Sequence, residues 1–366
     1  MTSSNPLRQL NDAGQSVWYD HIHRRMLGAE LQTMIARDDL RGITSNPSIF
    51  EKAIGAGDVY DDAIRTLLET EPGLDAEGIF QALAVADIQA AADQLLPVYE
   101  LSEGVDGRVS LEVSPQLAHD TEGTLREARQ LAARVDRPNL MIKVPATEAG
   151  IPAVETLIFE GISVNVTLLF AVARYQAVAR AFLRGMQRRL EAGLPVNRVA
   201  SVASFFVSRV DGAVDPLLGE NSPWAGRIAI ANARLAYACY RQLFDESHFG
   251  ALRTAGAHPQ RLLWASTSTK NPAYRDVIYV EELIGPDTVN TLPPATYEAF
   301  LDHGRVAHTL DRGLPEAETA IAALTDLDID LDAITARLET EGVVAFASAY
   351  DNLLAAIRRK AAALAA

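Results

Sequence analysis

Cysteine is nearly absent from this sequence, with Cys239 the single example among 366 residues. One cysteine excludes an internal disulfide and is typical of a protein from a reducing compartment, so we expect the cytoplasm. Cys239 lies in the apolar helical stretch ARLAYACYRQLF, where a free thiol packs as a small apolar side chain. The N-terminal segment MTSSNPLRQL also lacks the apolar core of a secretory signal.

Positive charge is scarce, because 33 Lys and Arg residues face 48 Asp and Glu residues and the formal net charge is −15. An acidic surface disfavours nucleic acid or an anionic membrane face as the main partner. A small phosphorylated substrate stays possible, since a local cationic pocket can form inside an acidic protein. Long apolar runs are missing too: the most apolar window, residues 156–174, is interrupted by Glu160 and closed by Arg174. We therefore predict a soluble protein that does not cross a bilayer.

The sequence has no glycine-rich phosphate loop between a first strand and helix, which disfavours a doubly wound open sheet, the alternative fold. Short apolar or β-branched runs instead recur between longer stretches with helical spacing, about eight times. This alternation predicts an α/β fold, a (β/α)8 TIM barrel. The candidate strands are residues 16–20, 40–45, 108–114, 140–145, 161–167, 198–204, 261–267 and 287–292.

Helical patterns cover residues 78–100, 121–135 and 168–193, and Thr147 is a candidate cap for the helix after the fourth strand, with Pro152 in its first turn. A barrel of this kind needs about 250 residues. The surplus is assigned to a helical insertion around 211–257 and to a C-terminal helical extension over 315–366. Because no repeat, low-complexity tract or linker is visible, residues 1–366 are predicted to form a single domain.

Three candidate strands carry a charged residue at or near their C-terminal ends: Asp20, Glu112 and Lys143. A charge on a barrel strand is costly unless it sits at that end, where active sites open. A structural ion cluster is the alternative interpretation. Burial disfavours the ammonium form of a lysine, and a neutral amine attacks a ketone to form a Schiff base. The two carboxylates can then carry the protons that imine formation and carbon–carbon cleavage require.

Uncharged polar residues follow the other strands and are suited to the hydroxyl groups of a polyol. Arg209 and Lys270 are the best candidates for a terminal phosphate, although each can equally be a solvated surface charge. The polar candidates are Thr44, Ser45, Asn46, Asn165, Thr167, Ser204, Ser266 and Ser268, each of which can alternatively serve in a turn or cap.

Eight segments in this order resemble the transaldolase family, in its longer bacterial and actinobacterial-like branch. The resemblance covers nearly the whole chain. The segments are WYD (18–20), GITSNPSIFEKAI (42–54), VSLEVSPQLAHD (109–120), NLMIKVPAT (139–147), GISVNVTLLF (161–170), ASVASFFVSRVD (200–211), LLWASTSTKNPAY (262–274) and TVNTLPPAT (288–296).

The resemblance implies a class I aldolase-type transferase of the pentose phosphate pathway that needs no metal or organic cofactor. It would move a dihydroxyacetone unit from a ketose phosphate, such as sedoheptulose 7-phosphate or fructose 6-phosphate, to an aldose phosphate. Lys143 corresponds to the Schiff-base lysine, Asp20 to the proton carrier in cleavage, Glu112 to a glutamate acting through a water, and Thr167 to the threonine holding that water.

The same resemblance implies the substrate-binding residues. Asn46, Asn165 and Ser204 correspond to contacts with the dihydroxyacetone hydroxyls, Phe206 to a neighbouring wall, and Arg209 and Ser266 to phosphate contacts. Many members have an arginine where this sequence has Ser268, and we expect Lys270 to supply the second positive charge. A lysine there would bind as a point charge instead of a bidentate fork.

Three other interpretations stay open at this level. His21 and His23 form a His-x-His pattern that metal-dependent barrel hydrolases use, but two histidines cannot complete a catalytic zinc site, and we expect first-turn helix positions for both. A phosphosugar-binding barrel without catalysis is the second. The third is a simple aldolase that releases its product, which differs from a transferase in how well the loaded enzyme excludes water. The preferred ketose and the oligomeric state are not predicted.

Overall fold

The computed structural model describes residues 5–55, 57–219 and 222–365. Residues 1–4 of the N-terminal segment, residue 56, residues 220 and 221 of the predicted insertion, and residue 366 at the C-terminus lie outside this description. The predictions that concern those positions are therefore not addressed by the structure.

In the described part of the chain, eight strands form one closed barrel in which each strand pairs in parallel with the next. β1 and β8 close it, with Trp18 opposite Thr291. The predicted (β/α)8 barrel is thus confirmed and the open-sheet alternative is wrong. The strands are β1 (Gln15–Tyr19), β2 (Gly42–Ile43), β3 (Arg108–Glu112), β4 (Leu140–Pro145), β5 (Val164–Leu169), β6 (Ser201–Phe206), β7 (Arg261–Ala265) and β8 (Thr288–Leu292).

The described residues form fifteen α-helices, most of them on the outside of the barrel. They are α1 (Pro6–Asp12), α2 (Ala29–Asp38), α3 (Pro47–Gly55), α4 (Asp61–Thr70), α5 (Ala76–Leu101), α6 (Thr121–Val135), α7 (Gly150–Glu160), α8 (Val172–Glu191), α9 (Ser208–Val214), α10 (Ile228–Leu243), α11 (Glu246–Thr254), α12 (Ile278–Glu281), α13 (Pro294–His303), α14 (Leu314–Asp326) and α15 (Leu331–Leu364).

Two of the predicted strands and helices have the observed bounds, and the others differ at one or both ends by one to four residues. The helix over 121–135 and the strand over 140–145 have the predicted ends. The fifth strand begins three residues later than predicted because Gly161, with a φ of 92°, ends α7 in the left-handed region that favours glycine. The helix after it begins at Val172, not at residue 168, because the strand continues to Leu169 through an irregularity between Val166 and Leu169.

The two segments added to the basic barrel are helical, as the sequence predicts. Helices α9, α10 and α11 lie between β6 and β7, and α14 and α15 complete the chain. Helix α15 packs against α3, α5 and α9 and against β5, so that it crosses the C-terminal end of the barrel. Among the residues described, no helix has the length and apolarity that a bilayer span requires.

The barrel interior is filled by large apolar side chains that require small partners. Trp18 is fully buried in β1, and its indole lies against Gly42, its register partner in β2. A Cβ atom at position 42 would come within 2.5 Å of the indole, so only glycine fits there. The buried apolar residues form one continuous cluster from Leu7 to Ile357. This packing keeps the strand ends, and the side chains on them, in fixed positions.

Candidate active site at the C-terminal mouth of the barrel

A cavity of about 480 Å³ opens where the strands end, under α15. Its volume falls within the range that small-molecule sites occupy. Its lining includes nine of the eleven residues predicted from the sequence: Asp20, Asn46, Lys143, Thr167, Ser204, Phe206, Arg209, Ser266 and Lys270. The other two, Glu112 and Asn165, lie directly behind lining residues.

Lys143 and Glu112 form a buried pair in the wall of this cavity. The two residues are register partners across β3 and β4, and both side chains are about 5% exposed. The Nζ atom of Lys143 lies 3.5 Å from Oε2 of Glu112 and donates a hydrogen bond to the carbonyl oxygen of Ser45 at 3.2 Å. The apolar run LMIKVP therefore carries its lysine at the active-site end of the strand, where the sequence predicts it.

This pair differs from the ion pairs at the opposite end of the barrel. There, Asp106 accepts hydrogen bonds from Arg261 at 2.9 Å and from Ser16 at 3.0 Å, so its oxygens are well satisfied. At the mouth, Oε2 of Glu112 and Oγ1 of Thr167 are both buried without a hydrogen-bond partner among the described residues. Native interiors rarely leave such atoms unpaired, and a catalytic role is one of the reasons for an exception. The arrangement favours a reactive site over a structural ion cluster.

Burial shapes the protonation of the Glu112 carboxyl group. Removal from water raises its pKa from 4.5 to about 7, the neighbouring Lys143 opposes this rise, and Asp20 adds to it. A carboxyl with a pKa near neutrality exchanges protons readily in both directions. Glu112 is thus suited to serve as an acid in one step and a base in another.

Thr167 lies where β5 becomes irregular near its end, on the same strand face as Asn165. The register shifts between Val166 and Leu169, and Leu168 adopts a φ of 62°, which is uncommon for a residue other than glycine. The side chain of Leu168 packs where Gly342 of α15 leaves room. Thr167 itself is fully buried and lines the cavity. Backbone strain next to a functional side chain is a recognised feature of active sites.

Asp20 follows β1 directly and lies on the other side of the cavity. Its Oδ1 accepts a hydrogen bond from Oγ1 of Thr44 at 2.7 Å, and that hydroxyl lies 3.0 Å from Oγ1 of Thr291. This chain of hydroxyls holds the carboxylate of Asp20 in one orientation. It is the one carboxylate among the described residues that line the cavity.

Asn165 and Ser204 are joined in a buried polar chain. Ser204 Oγ donates to Oδ1 of Asn165 at 2.7 Å, and Nδ2 of Asn165 donates to Oγ of Ser110 at 3.0 Å. Ser204 lines the cavity, whereas Asn165 supports it from behind. On the facing side, Asn46 lines the cavity. Its side chain also accepts a hydrogen bond from the Ile49 backbone N–H, so Asn46 serves in the local turn as well.

Arg209 and Lys270 provide positive charge on the side of β6 and β7. The guanidinium carbon of Arg209 lies 5.2 Å from the ring centroid of Phe206, and burial lowers the pKa of Arg209 while Asp20 and Glu341 oppose that shift. Lys270 Nζ donates to Oγ of Ser268 at 2.8 Å. The lysine that we expect to supply the second positive charge therefore lies beside Ser268, the residue that stands where the resemblance leads us to expect an arginine. Ser266 adopts a φ of 55°, and its hydroxyl lies 3.1 Å from that of Ser208.

Several other lining residues were not predicted as site residues from the sequence, among them Phe346 and Lys52. Phe346 comes from α15, and its ring centroid lies 5.8 Å from Nζ of Lys143. Lys52 comes from the second turn of α3. Lys52 carries a visible signal, a cation six residues after the polar SN pair. Phe346 carries none, because the sequence does not show where a distant C-terminal helix docks.

The structure corrects the placement of the two histidines. His21 lies outside any helix and lines the cavity, and His23 caps a 3-10 turn (Arg24–Met26) by accepting a hydrogen bond from the Arg25 N–H. First-turn positions in an α-helix are therefore wrong for both. Their rings meet edge to face at 5.1 Å, and burial lowers the pKa of His21. No group of three or more metal-binding side chains occurs among the described residues, so nothing there supports the hydrolase interpretation.

Comparison with known proteins gives a consistent result over the full length. The family model described as transaldolase/fructose-6-phosphate aldolase matches residues 17–357. A protein named transaldolase from Parafrankia sp. is 49% identical over 364 residues, which cover 98% of both chains. The transaldolase of Thermobifida fusca is 47% identical over 366 residues, covering 98% of this chain and 99% of the relative. A protein named transaldolase 2 from Nostoc sp. is 45% identical over 373 residues, with 97% of each chain covered.

Proposed function

The chain belongs to the transaldolase/fructose-6-phosphate aldolase family, and we propose that it is a transaldolase whose reaction runs through the buried pair of Lys143 and Glu112. It transfers a dihydroxyacetone unit from sedoheptulose 7-phosphate or fructose 6-phosphate to glyceraldehyde 3-phosphate or erythrose 4-phosphate. The observation that carries this proposal is the lysine near the end of β4, 3.5 Å from a glutamate oxygen that has no hydrogen-bond partner among the residues the structure describes.

The first half of the reaction loads the donor. The amine of Lys143 adds to the C2 carbonyl of the ketose and forms a carbinolamine. Glu112 then supplies a proton, through a water molecule, to the carbinolamine hydroxyl, which leaves as water. Glu112 is suited to this because its pKa lies at about 7. Thr167 lines the same cavity as Lys143, and its hydroxyl can hold the water through which the proton passes. The product is an iminium ion, which withdraws electrons from the C3–C4 bond.

Asp20 then carries the proton that cleavage releases. Its carboxylate takes the proton of the C4 hydroxyl as the C3–C4 bond breaks, the aldose phosphate leaves, and an enamine stays on Lys143. The acceptor aldose phosphate enters, the enamine carbon attacks its carbonyl carbon, and Asp20 returns the proton. The hydroxyl groups of Thr44 and Thr291 hold Asp20 in place for both proton transfers, the one in cleavage and the one in condensation.

Substrate binding divides between two polar groups. Ser204 and Asn46 line the cavity near Lys143 and are suited to the hydroxyls of the dihydroxyacetone unit, with Asn165 orienting Ser204. Arg209, Ser266 and Lys270 are suited to the terminal phosphate, with the Phe206 ring against the Arg209 guanidinium. We also propose one domain over the whole chain, for which the continuous core is the support, and a cytoplasmic enzyme without nucleic-acid partners, for which the single cysteine and the acidic charge are the support.

Borohydride trapping tests the proposal. The enzyme is incubated with fructose 6-phosphate, reduced with borohydride, and analysed by intact mass and peptide mapping. We expect one covalent adduct, at Lys143, which is absent in Lys143→Ala. The control variant is Lys360→Ala, which removes a lysine outside the cavity and should trap as the wild type does. An adduct on a different lysine, or none with fructose 6-phosphate, would contradict the proposal.

A further inference from the structure

A second cavity, also of about 480 Å³, opens at the opposite end of the barrel. It lies among the segments that lead into β4, β5 and β6, beside the C-terminal end of α5, and it shares no lining residue with the candidate active site. We call it the basal cavity and define it by Ser163, Arg189, Arg198 and Glu100. Its polar lining is mainly cationic, although the chain carries a net charge of −15.

A buried arginine lies directly behind this cavity. Arg108, the first residue of β3, is 1% exposed. Its guanidinium donates to the carbonyl oxygen of Gly104 at 2.6 and 2.9 Å and to Oγ of Ser163 at 3.1 Å, and it forms no ion pair with a carboxylate that the structure describes. Arg261, by contrast, is paired with Asp106 at 2.9 Å. A buried charge is costly without an opposite charge nearby, and an anion beside Ser163 would supply one.

Ser163 connects the charge of Arg108 to the cavity. Its hydroxyl oxygen accepts hydrogen bonds from Nη1 of Arg108 and from the Ala200 backbone N–H, each at 3.1 Å. Both acceptor positions of the oxygen are thus used, while the hydroxyl proton has no acceptor among the described residues. Ser163 is 7% exposed and lines the cavity. Because buried polar groups are normally satisfied, this hydroxyl is suited to donate to an anionic oxygen in the cavity.

Two further guanidinium groups line the basal cavity without an ion pair to any described residue. Arg198 is exposed and makes no side-chain hydrogen bond in the described part of the chain, and its guanidinium carbon lies 5.5 Å from the ring centroid of Tyr99. Arg189 is half-buried, and its Nε and Nη1 donate to backbone carbonyl oxygens while Nη2 stays free for a ligand. The third lining arginine, Arg137, is neutralised by Asp93.

The balance of charge indicates the class of ligand. Arg108, Arg189 and Arg198 face a single lining carboxylate among the described residues, that of Glu100. A phosphate monoester carries about −1.5 to −2 charges at pH 7, and its oxygens accept paired hydrogen bonds from guanidinium groups. The remaining walls are largely apolar and suit an organic group attached to the phosphate.

We propose that the basal cavity binds the phosphate monoester of a small metabolite, with its phosphate held by Ser163, Arg189 and Arg198. The volume of the cavity falls within the range of small-molecule sites. The site lies at the opposite ends of the strands that carry Lys143 and Ser204, so its ligand does not compete with the sugar substrates.

Calorimetric titration tests the inference. Adenosine 5′-monophosphate and glucose 6-phosphate represent the nucleotide and sugar sources of the phosphate monoester, and inorganic phosphate and adenosine serve as reference ligands. The protein carries Arg209→Gln, which weakens phosphate binding in the active site. We expect at least one ester to bind more tightly than inorganic phosphate, and adenosine to bind far more weakly than its monophosphate. Addition of Arg198→Gln should raise the Kd of the bound ester about 10-fold or more, because a charged hydrogen bond is lost.

The control variant Arg358→Gln removes the same charge from an exposed position of α15 and should leave each Kd unchanged. Arg198→Gln alone should keep the wild-type melting temperature and fructose 6-phosphate turnover, which separates this site from the active site. The inference is overturned if neither ester binds more tightly than inorganic phosphate, if adenosine binds as well as its monophosphate, or if Arg198→Gln leaves the Kd of the ester unchanged.

Discussion

Lys143 Nζ lies 3.5 Å from Glu112 Oε2, and the two residues are direct partners across β3 and β4. In a parallel barrel this register places both side chains at the same height and on the same face. Burial raises the pKa of Glu112, and the neighbouring Lys143 opposes that rise. Strand geometry thus holds together the pair that we propose to be reactive, and most of the following predictions depend on it.

Glu112→Gln should change how stability depends on pH. The folded-state pKa of Glu112 is raised from 4.5 to about 7, so the folded protein binds this proton more tightly than the unfolded chain. Wild-type stability therefore falls as pH rises from about 5 to about 8. Glutamine does not titrate, so the melting temperature of Glu112→Gln relative to wild type should increase over this range. A constant difference between pH 5 and pH 8 measurements would contradict the raised pKa.

Thr167→Val should slow imine formation without loss of stability. Valine has the shape of threonine, and Oγ1 of Thr167 has no hydrogen-bond partner among the described residues to lose. General acid–base assistance contributes about 10²–10⁴-fold, so we expect trapping by borohydride to slow at least about 10-fold. The control is Thr124→Val, which loses a hydrogen bond to the Leu117 carbonyl and should lower stability instead. Equal trapping rates in Thr167→Val and wild type would exclude a role for this hydroxyl.

Asp20→Asn should slow cleavage more than imine formation. The amide has nearly the shape of the carboxylate and can keep the hydrogen bond from Thr44, but it cannot take the proton of the C4 hydroxyl. We expect single-turnover release of the aldose phosphate to fall by about 10²-fold or more, while the adduct at Lys143 still forms. Thr44→Val removes the hydroxyl that orients the Asp20 carboxylate, and it should decrease the rate of aldose phosphate release less than Asp20→Asn does. A cleavage rate near wild type in Asp20→Asn would remove Asp20 from this role.

Tyr274→Phe should weaken the binding of phosphorylated substrates. Tyr274 Oη donates to Asp215 at 2.8 Å, and this bond joins the segment that carries Lys270 to the end of α9, which carries Arg209. Without it, we expect the KM for fructose 6-phosphate to rise about 3–10-fold, with little change in kcat or in kcat/KM for unphosphorylated fructose. Tyr297→Phe removes a similar bond to Asp38 away from this segment and serves as the control. Equal changes for both sugars would argue against a phosphate-positioning role.

Phe346→Leu should shift the balance from transfer to release. Phe346 covers Lys143 from α15 and is 6% exposed, so a smaller side chain admits water to the loaded enzyme. We expect more free dihydroxyacetone for each transfer event, measured with donor and acceptor both present. Phe80→Leu alters an aromatic side chain that packs against Tyr350 of the same helix α15 but does not line the cavity, and its product ratio should stay at the wild-type value. An unchanged ratio in Phe346→Leu would mean that other groups exclude the water.

The sequence alone determined the barrel and much of its chemistry. Alternating apolar runs and helical stretches are local patterns, and eight of them without a glycine-rich phosphate loop favour a closed parallel barrel over an open sheet. The sequence also identified three charged candidates, Asp20, Glu112 and Lys143. A charge in an apolar strand is costly anywhere except at the active-site end, so its position indicates a functional role.

Tertiary structure decided what local patterns do not contain. Phe346 joins the site because α15 packs across the barrel mouth. At the irregular end of β5, Leu168 packs where Gly342 of the same distant helix leaves room. Contacts between residues so distant in the chain depend on the packing of whole elements, so no local pattern in the sequence encodes them.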